Sequence, residues 1–571
     1  MVSIPRWFSS SSTAARVSPL PVAIFALSIS TFSPASAIDC VQPRIGTEYQ
    51  PLIQPVPQEQ MQPAARQAMT PPEDPDVGDS WIWYTWKLAG FPVAEEKMCT
   101  VRGEGTNVYI VVEDSQWLTN VLQEDVDRMI EAWDHSSLGQ FPEQGIYELN
   151  TSNFGPSPDE LDEDPKIYVL YYDFDVSSDG FFWPFDQYPD GTQDFASNEC
   201  EVLYMNSSVF DPGGDYLISV QAHEFQHMIH WLADDNESPW VNEGCGELAM
   251  WLYGHPDQVT SFPGNPDNNL TAWNGGFADY VKTYLWMLYF YEQFGGQATI
   301  LDLVADPANS IAGFDQTLAD RGYAERFAGI VPNWFVANYL DDPTVGGGKY
   351  YYAGEELPPF TAVVRSSYPI PSTPATVNHW AADYVRMIDG MPQRLFFDGG
   401  DNSTWSARVI RFFEGTPLSV EEIPLDAVDA GFIDLPDFGD ETDEVVLVCG
   451  NIFTTGVTSY SYRTEAEPAS TGEVANEITE LRVRAIGTNP FEHSASLLLE
   501  TQTDADAEVV VIDIQGRRVR TLHQGPVLAG TLPLTWNGST DGGHSATPGT
   551  YFVRARTSAG ASSTQRLVKL Q

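Results

Sequence analysis

The stretch Gln221-Ala-His-Glu-Phe-Gln-His-Met-Ile-His-Trp231 holds three of the nine histidines of this 571-residue chain. Two of them, His223 and His227, are four residues apart and enclose Glu224 in the pattern H-E-x-x-H. On an α-helix, residues four apart lie on one face, with Cβ atoms roughly 5–6 Å from each other. Both imidazoles can then bind one zinc ion, and Glu224 can accept a proton from a water molecule beside it.

The apolar residues around this motif predict the helix itself. Asp215 follows two glycines and is predicted to be the N-cap. Apolar side chains then recur at spacings of four and three, which is typical of a helix with one buried face. They are Ile218, Ala222, Phe225, Ile229 and Leu232. We therefore expect one face of the helix to contact the core and the opposite face to present the metal ligands.

A catalytic zinc ion requires a third protein ligand, and a second helix is predicted directly downstream. Ser238 is a predicted N-cap, followed by Pro239 at the first helical position. Glu243 and Glu247 lie four residues apart, opposite an apolar seam. Glu243 is the predicted third ligand. Glu247 is placed to hydrogen-bond the second ring nitrogen of a ligand histidine.

These two motifs resemble those of the gluzincin branch of zinc metallopeptidases. H-E-F-Q-H-M-I-H at 223–230 and W-V-N-E-G-C-G-E at 240–247 are similar to the secreted bacterial hyicolysin-like enzymes, in which an Asn-Glu pair supplies the third ligand. The metzincin pattern is absent, since His230 stands at its glycine position and Ala233 at its third histidine position. His230 lies three residues after His227 and is an alternative metal ligand.

The resemblance implies an α+β zincin-like fold over roughly residues 108–339. Strands are predicted at 107–112, 166–172 and 200–205, and the last of them is expected to be an edge strand that pairs with an extended substrate. Helical patterns cover 123–133 and most of 277–339. Tyr280 is a candidate for stabilising the tetrahedral intermediate, as tyrosines do in related enzymes. His255 is a second such candidate, with ordinary packing as the alternative for both.

Composition indicates an exported protein. Residues 1–37 have the features of a secretory signal peptide, with an apolar run at 22–29 and an A-x-A cleavage site at 35–37. No later apolar stretch reaches the roughly 18 residues that span a bilayer. The five cysteines suit an oxidising compartment, and the predicted disulfides are Cys40–Cys99 and Cys200–Cys245.

The chain is strongly acidic, with 80 Asp and Glu against 28 Lys and Arg and a net charge of -52. Such a surface repels nucleic acid and anionic membranes. The charge is unevenly spread, because residues 479–571 contain 8 acidic and 9 basic side chains. Calcium sites at Asp159–Asp164 or Asp211–Asp215 are one interpretation of the excess acid. A solvated acidic surface is the other.

Pattern and charge predict a multidomain chain in which the zincin-like domain is followed by two all-β, immunoglobulin-like sandwich domains. The predicted order is a signal peptide at 1–37, a Pro/Gln-rich linker or short pro-segment at 38–75, the zincin-like domain at 76–345, a β-sandwich at 346–463, a linker at 464–478 and the C-terminal domain at 479–571.

The C-terminal segment has motifs of its own. Asn489-Pro-Phe491, Val509–Arg520 and Gly549-Thr-Tyr-Phe-Val553 resemble the immunoglobulin-like domain of flagellar hook-capping proteins and type IX secretion sorting domains. A sorting domain implies export across a Gram-negative outer membrane, an outer-membrane secretion machinery as partner, and a secreted or surface location. A β-domain that binds cell wall or carbohydrate is the alternative.

Together these features predict a secreted zinc endopeptidase that acts on proteins or peptides. His223, His227 and Glu243 would hold the zinc ion, and Glu224 would be the general base. Two alternatives stay open. One is a non-catalytic surface protein with a remnant zincin lobe, against which the presence of Glu224 argues. The other is a zinc hydrolase that acts on a non-peptide bond.

Overall fold

The structure is a computed structural model. It describes residues 71–570 except 73, 90–91, 160, 163, 193–194, 453–455, 467–480, 486–489, 492–493, 502, 514–515 and 558–561. The predicted signal peptide, Cys40 and most of the predicted 464–478 linker lie outside the described residues. Two compact units are present, and the helix Pro239–Tyr253 is divided between them.

A six-stranded sheet forms the centre of the first unit. Its strands are β1 (Ser80–Lys87), β2 (Val93–Glu104), β3 (Val108–Glu113), β4 (Ile167–Tyr172), β5 (Gly180–Phe182) and β6 (Val202–Asn206), in the spatial order β1-β2-β3-β4-β6-β5. Strands β3, β4 and β6 are parallel, and the other neighbours are antiparallel. The three parallel strands are buried along nearly their whole length, which explains their continuous apolar sequences.

An aromatic-rich core and three helices accompany this sheet in the first unit. One face carries an aromatic-rich core that includes Trp83, Tyr168 and Tyr204. Three helices belong to the same unit, namely α1 (Gln123–Asp134), α2 (Ile146–Phe154) and α3 (Asp215–Ala233). The H-E-x-x-H stretch lies in the middle of α3. The remaining helices are α4 (Pro239–Tyr253), α5 (Phe277–Gln293), α6 (Gln297–Ala305), α7 (Ile311–Asp320) and α8 (Phe327–Leu340).

Two further sheets follow α8. Their strands are β7 (Val363–Arg365), β8 (Thr373–Asn378), β9 (Ala381–Ile388), β10 (Gln393–Gly399), β11 (Trp405–Phe413), β12 (Thr416–Glu422), β13 (Ala430–Leu435), β14 (Glu444–Asn451) and β15 (Val457–Ala466). They form sheets of order β13-β10-β15-β8 and β12-β11-β14-β9-β7. One core cluster draws on both sheets, with Leu395 from the first and Leu447 from the second.

The C-terminal segment repeats this arrangement on a smaller scale. Its strands are β16 (Leu481–Ala485), β17 (Ala495–Thr501), β18 (Ala505–Asp513), β19 (Arg518–Val527), β20 (Gly530–Trp536), β21 (Gly549–Thr557) and β22 (Ser562–Lys569). They form sheets of order β16-β17-β20 and β19-β18-β21-β22 around a core of their own that contains Trp536. The predicted multidomain architecture of mixed helix and sheet followed by β-sandwich-like sheets is confirmed.

The edge-strand prediction is wrong. The predicted strand at 200–205 is β6, which lies between β4 and β5. The outer strand is β5, whose three residues pair with Leu203–Met205 of β6. Three residues are too few to show the alternation of apolar and polar side chains that identifies a strand. The sequence pattern therefore pointed to the longer neighbouring strand, β6.

The prediction of a Cys200–Cys245 disulfide is also wrong. Both residues are free, fully buried thiols. Cys200 belongs to the aromatic-rich core of the sheet, whereas Cys245 lies on α4. Cys99 is a free buried thiol too, and its predicted partner Cys40 lies outside the described residues.

In the part of the chain that the structure describes, no helix is both long and apolar enough to cross a membrane.

Candidate metal centre

Hydrogen bonds from neighbouring elements hold α3 in place at the turn that carries the H-E-x-x-H motif. The side-chain amide of Gln221 accepts a hydrogen bond from Trp133 Nε1 at 2.5 Å and donates one to the Tyr171 hydroxyl at 2.8 Å. Asn150 Nδ2 donates to the carbonyl of Ala222 at 2.7 Å. All these atoms are buried, where unsatisfied polar groups are costly, so the contacts restrain both the position and the rotation of the helix.

Two details of α3 differ from the prediction. The helix begins at Asp215, with Gly214 in the cap position, and the Asp215 carboxylate accepts a hydrogen bond from Arg128 Nη2 at 2.6 Å. Every residue from Leu217 to His230 is buried, so α3 does not have a single buried face. Periodicity identified the most apolar side of the helix and could not show that the ligand side is enclosed as well.

The structure brings together the three residues predicted as ligands. One ligand atom each from His223, His227 and Glu243 lies within 4.8 Å of the other two, and all three side chains are buried. The two rings belong to adjacent turns of α3, with centroids 4.6 Å apart and an interplanar angle of 85°. Two imidazoles and one carboxylate are a donor set that suits a catalytic zinc ion.

Glu247, one turn after Glu243 on α4, lies beside the first ligand histidine. Its Oε1 is 3.4 Å from His223 Nδ1, and both side chains have 0% exposure. A carboxylate at this nitrogen favours the tautomer that leaves Nε2 free for a metal. Glu247 therefore lies near the ring nitrogen that it is predicted to bond, and its orienting role stays a prediction.

Glu224 lies next to the outer strand of the sheet. It is fully buried, and a β-carbon built on Gly180 of β5 would be 3.2 Å from Glu224 Cγ. The close approach means that the backbone of β5 passes directly beside the candidate general base. This neighbour was missed at the sequence level, because β5 is too short to give a strand pattern.

The other candidate site residues, Tyr280, His255 and His230, lie in different environments. The Tyr280 ring is 6.4 Å from the His223 ring, centroid to centroid, which places it near the metal centre. The His255 ring lies 6.1 Å from the ring of Tyr216, in the first turn of α3. His230 is buried, with Nδ1 3.1 Å from Gln226 Nε2, and does not belong to the three-residue group.

Two acidic residues lie near α3 that the sequence pattern did not identify as site residues. The Tyr216 hydroxyl donates to Asp179 Oδ2 at 2.7 Å, and Asp179 directly precedes β5. This bond therefore ties the start of the outer strand to the first turn of α3. Asp257 is buried, and its pKa lies well above the usual value for a carboxyl, first because of burial and then because Glu247 is nearby.

Comparison with known proteins supports the assignment of the C-terminal segment. Residues 487–561 match the FlgD Ig-like domain, so the chain carries an immunoglobulin-like domain at its C-terminal end. No curated protein matches this chain.

Several solved structures resemble parts of the chain. They include the CARDB domain of the PF1109 protein from Pyrococcus furiosus, at 12% identity and a TM-score of 0.14 over 18% of this chain and 100% of that one. PorZ from Porphyromonas gingivalis is 17% identical over 22% of this chain and 15% of its own, with a TM-score of 0.12. Latent PorU from the same organism is 14% identical over 37% and 19%, with a TM-score of 0.16. The chain spans less than a fifth of PorZ and PorU.

Proposed function

We propose that this chain is a secreted, zinc-dependent endopeptidase. The observation that carries the proposal is the buried group of His223, His227 and Glu243 with Glu224 in the same helical turn. A site that only stabilises a fold is closed by four protein ligands, whereas three ligands and an adjacent carboxylate are typical of hydrolysis.

The chemistry divides between the metal and the chain. Bound zinc would polarise the scissile carbonyl and make a nearby water molecule more acidic. The carboxylate of Glu224 would accept the proton of that water and later deliver it to the leaving amine. Glu247 would keep the His223 ring oriented, and the Tyr280 hydroxyl is the candidate donor to the developing oxyanion.

The outer strand suggests how a substrate is held. β5 is the last strand of its sheet and passes beside Glu224. An extended peptide that pairs with the outer strand of a sheet presents its backbone carbonyls at a regular spacing. We infer that the substrate is an extended segment of protein or peptide.

Export is part of the same proposal. Residues 1–37 have the pattern of a signal peptide, and the FlgD Ig-like match agrees with the predicted type IX sorting role of residues 479–571. We infer a secreted or surface location in a Gram-negative bacterium, with the outer-membrane secretion machinery as partner.

Hydrolysis of casein by the purified protein tests the proposal. Activity should disappear with a zinc chelator and return on addition of zinc. Glu224→Gln should keep about one zinc ion per chain and lose roughly 10²–10⁴-fold in turnover, because an amide accepts no proton. Undiminished turnover in this variant would contradict the mechanism. A zinc-loaded wild type that cleaves no casein, gelatin or peptide would favour a non-peptide substrate or a binding role.

A further inference from the structure

A second acidic site lies in the first unit, where the loop before β4 meets the residue before β6. Glu201 is 1% exposed, and neither of its carboxylate oxygens has a hydrogen-bond partner. Its side chain faces that of Asp162 at hydrogen-bonding range. The Oδ2 atom of Asp162 is also buried without a partner. Three buried carboxylate oxygens of these two residues therefore lack a hydrogen-bond partner among the described residues.

The loop holds Asp162 in this orientation. Its Oδ1 accepts a hydrogen bond from the backbone N–H of Asp164 at 3.1 Å, and Asp164 Oδ1 accepts one from the N–H of Lys166 at 3.1 Å. These turns occupy Oδ1 of Asp162 and leave Oδ2 without a hydrogen bond. The Glu201 backbone is fixed as well, because its carbonyl accepts the N–H of Tyr168 of β4 at 2.8 Å.

In the described part of the chain, no cationic side chain forms an ion pair with Asp162 or Glu201. Lys166 is directed elsewhere, since its Nζ donates to Glu104 Oε1 at 2.5 Å and to the Tyr109 hydroxyl at 3.3 Å. Buried carboxylates that face each other without a counter-charge are strongly unfavourable. Burial, and then Asp162, raise the pKa of Glu201 to about 9.

We propose that Asp162 and Glu201 bind a calcium ion. The donors are all oxygen atoms, which suits calcium and does not suit zinc, whose protein ligands are chiefly nitrogen and sulfur. Calcium takes six to eight oxygen ligands in flexible geometry, so water and backbone carbonyls can complete two carboxylates. Asp159 and Asp164 lie near enough to destabilise an ionised Asp162, and the same negative field attracts a divalent cation.

The ion would stabilise the sheet that supports α3. Asp162 belongs to the loop that leads into β4, and Glu201 directly precedes β6, the parallel neighbour of β4. A cation held by both residues joins the starts of these two strands. The calcium ion would therefore stabilise the folded sheet and take no part in the zinc chemistry.

Terbium luminescence tests for the ion directly. Tyr168 lies near the site, since Asp162 and Asp164 both act on its hydroxyl, and its ring packs 5.4 Å from that of Trp83. Excitation of these rings in the full-length, zinc-loaded protein should sensitise Tb³⁺ bound at the pair. Calcium should displace the saturable signal. Absence of a saturable signal that calcium displaces would overturn the proposal.

Two variants separate this site from the general acidity of the chain. Glu201→Gln should remove the saturable terbium signal, whereas Glu124→Gln removes one charge from an exposed position on α1 and should keep it. Calcium at about 100 times its Kd should raise the Tm of the wild type by about 5 °C or more and leave that of Glu201→Gln unchanged. If calcium leaves the wild-type Tm unchanged, the two carboxyls share a proton and the proposal is wrong. An equal terbium signal in both variants would also overturn it.

Discussion

A β-carbon on Gly246 would lie 2.7 Å from Cε1 and 2.8 Å from both nitrogens of the His223 ring. Real Cβ atoms essentially never come this close to other heavy atoms. The backbone of α4 therefore touches the imidazole of a predicted ligand on α3, on the same helix that carries Glu243. A glycine is required at position 246 for steric reasons, independently of its backbone conformation.

Gly246→Ala should weaken zinc binding. The His223 ring is fully buried and has Glu247 at its Nδ1 atom, so it has little freedom to move away from an added methyl group. We expect zinc affinity to fall about 10–100-fold, as for other disturbances of groups that orient a ligand. Competition with a coloured chelator measures it. Gly329→Ala on α8, where nothing lies within 4 Å of the new Cβ, is the matched control and should keep the affinity.

Glu243→Ala should remove both metal and activity. Two histidines alone hold zinc poorly, and Glu243 is the one carboxylate of the three-residue group. Metal content after dialysis, with circular dichroism to verify folding, is the measurement. His230→Ala is the control and should retain about one zinc ion per chain, because His230 lies outside that group. The opposite pair of results would assign the third ligand to His230.

Deletion of residues 479–571 should leave the specific activity of the purified protein nearly unchanged. The segment has its own core around Trp536, and all the predicted zinc ligands lie elsewhere. In the native host, the same deletion should leave the protein in the periplasm, which cell fractionation detects. A truncated protein that is folded and zinc-loaded but inactive would assign the domain a role in substrate binding instead.

All four described cysteines should react with a thiol reagent once the chain is unfolded without reductant. Cys99, Cys200, Cys245 and Cys449 are buried and free, so in the folded protein they should be protected. Burial also raises the pKa of the Cys200 and Cys245 thiols, which slows their reaction further. Peptide mass spectrometry after labelling checks each site. Recovery of a linked Cys200–Cys245 peptide pair would show the structure to be wrong here.

The buried carboxyl of Asp186 should make stability depend on pH. Burial raises its pKa to about 7, although it accepts hydrogen bonds from the Asn198 N–H and the Tyr204 hydroxyl. The folded state therefore keeps a proton that the unfolded chain releases near pH 4, and this contribution to stability is lost as the pH rises from about 4 to 7. Asp186→Asn should flatten the profile. Denaturant midpoints of both proteins at pH 5 and pH 8 measure the difference, and equal pH slopes would refute it.

The local pattern of the sequence was sufficient to predict the helix α3 and to place two of the predicted ligands on it. Residues four apart lie on one helical face whatever surrounds them, so the spacing of His223 and His227 implies their convergence. The local sequence pattern also located α1 within a few residues and predicted where α4 and α5 begin. Near-neutral charge and glycine-bounded strands identified the C-terminal β-domain, which matches the FlgD Ig-like domain.

Contacts between distant segments required the tertiary structure. The order of strands decided that β5 is the outer strand and that Gly180 touches Glu224, and neither fact has a local signature. The same holds for the pairing of Asp162 with Glu201 and for the free thiols of Cys200 and Cys245. Spacing along a chain constrains neighbours within one element, whereas the contacts between elements depend on how their apolar faces pack together.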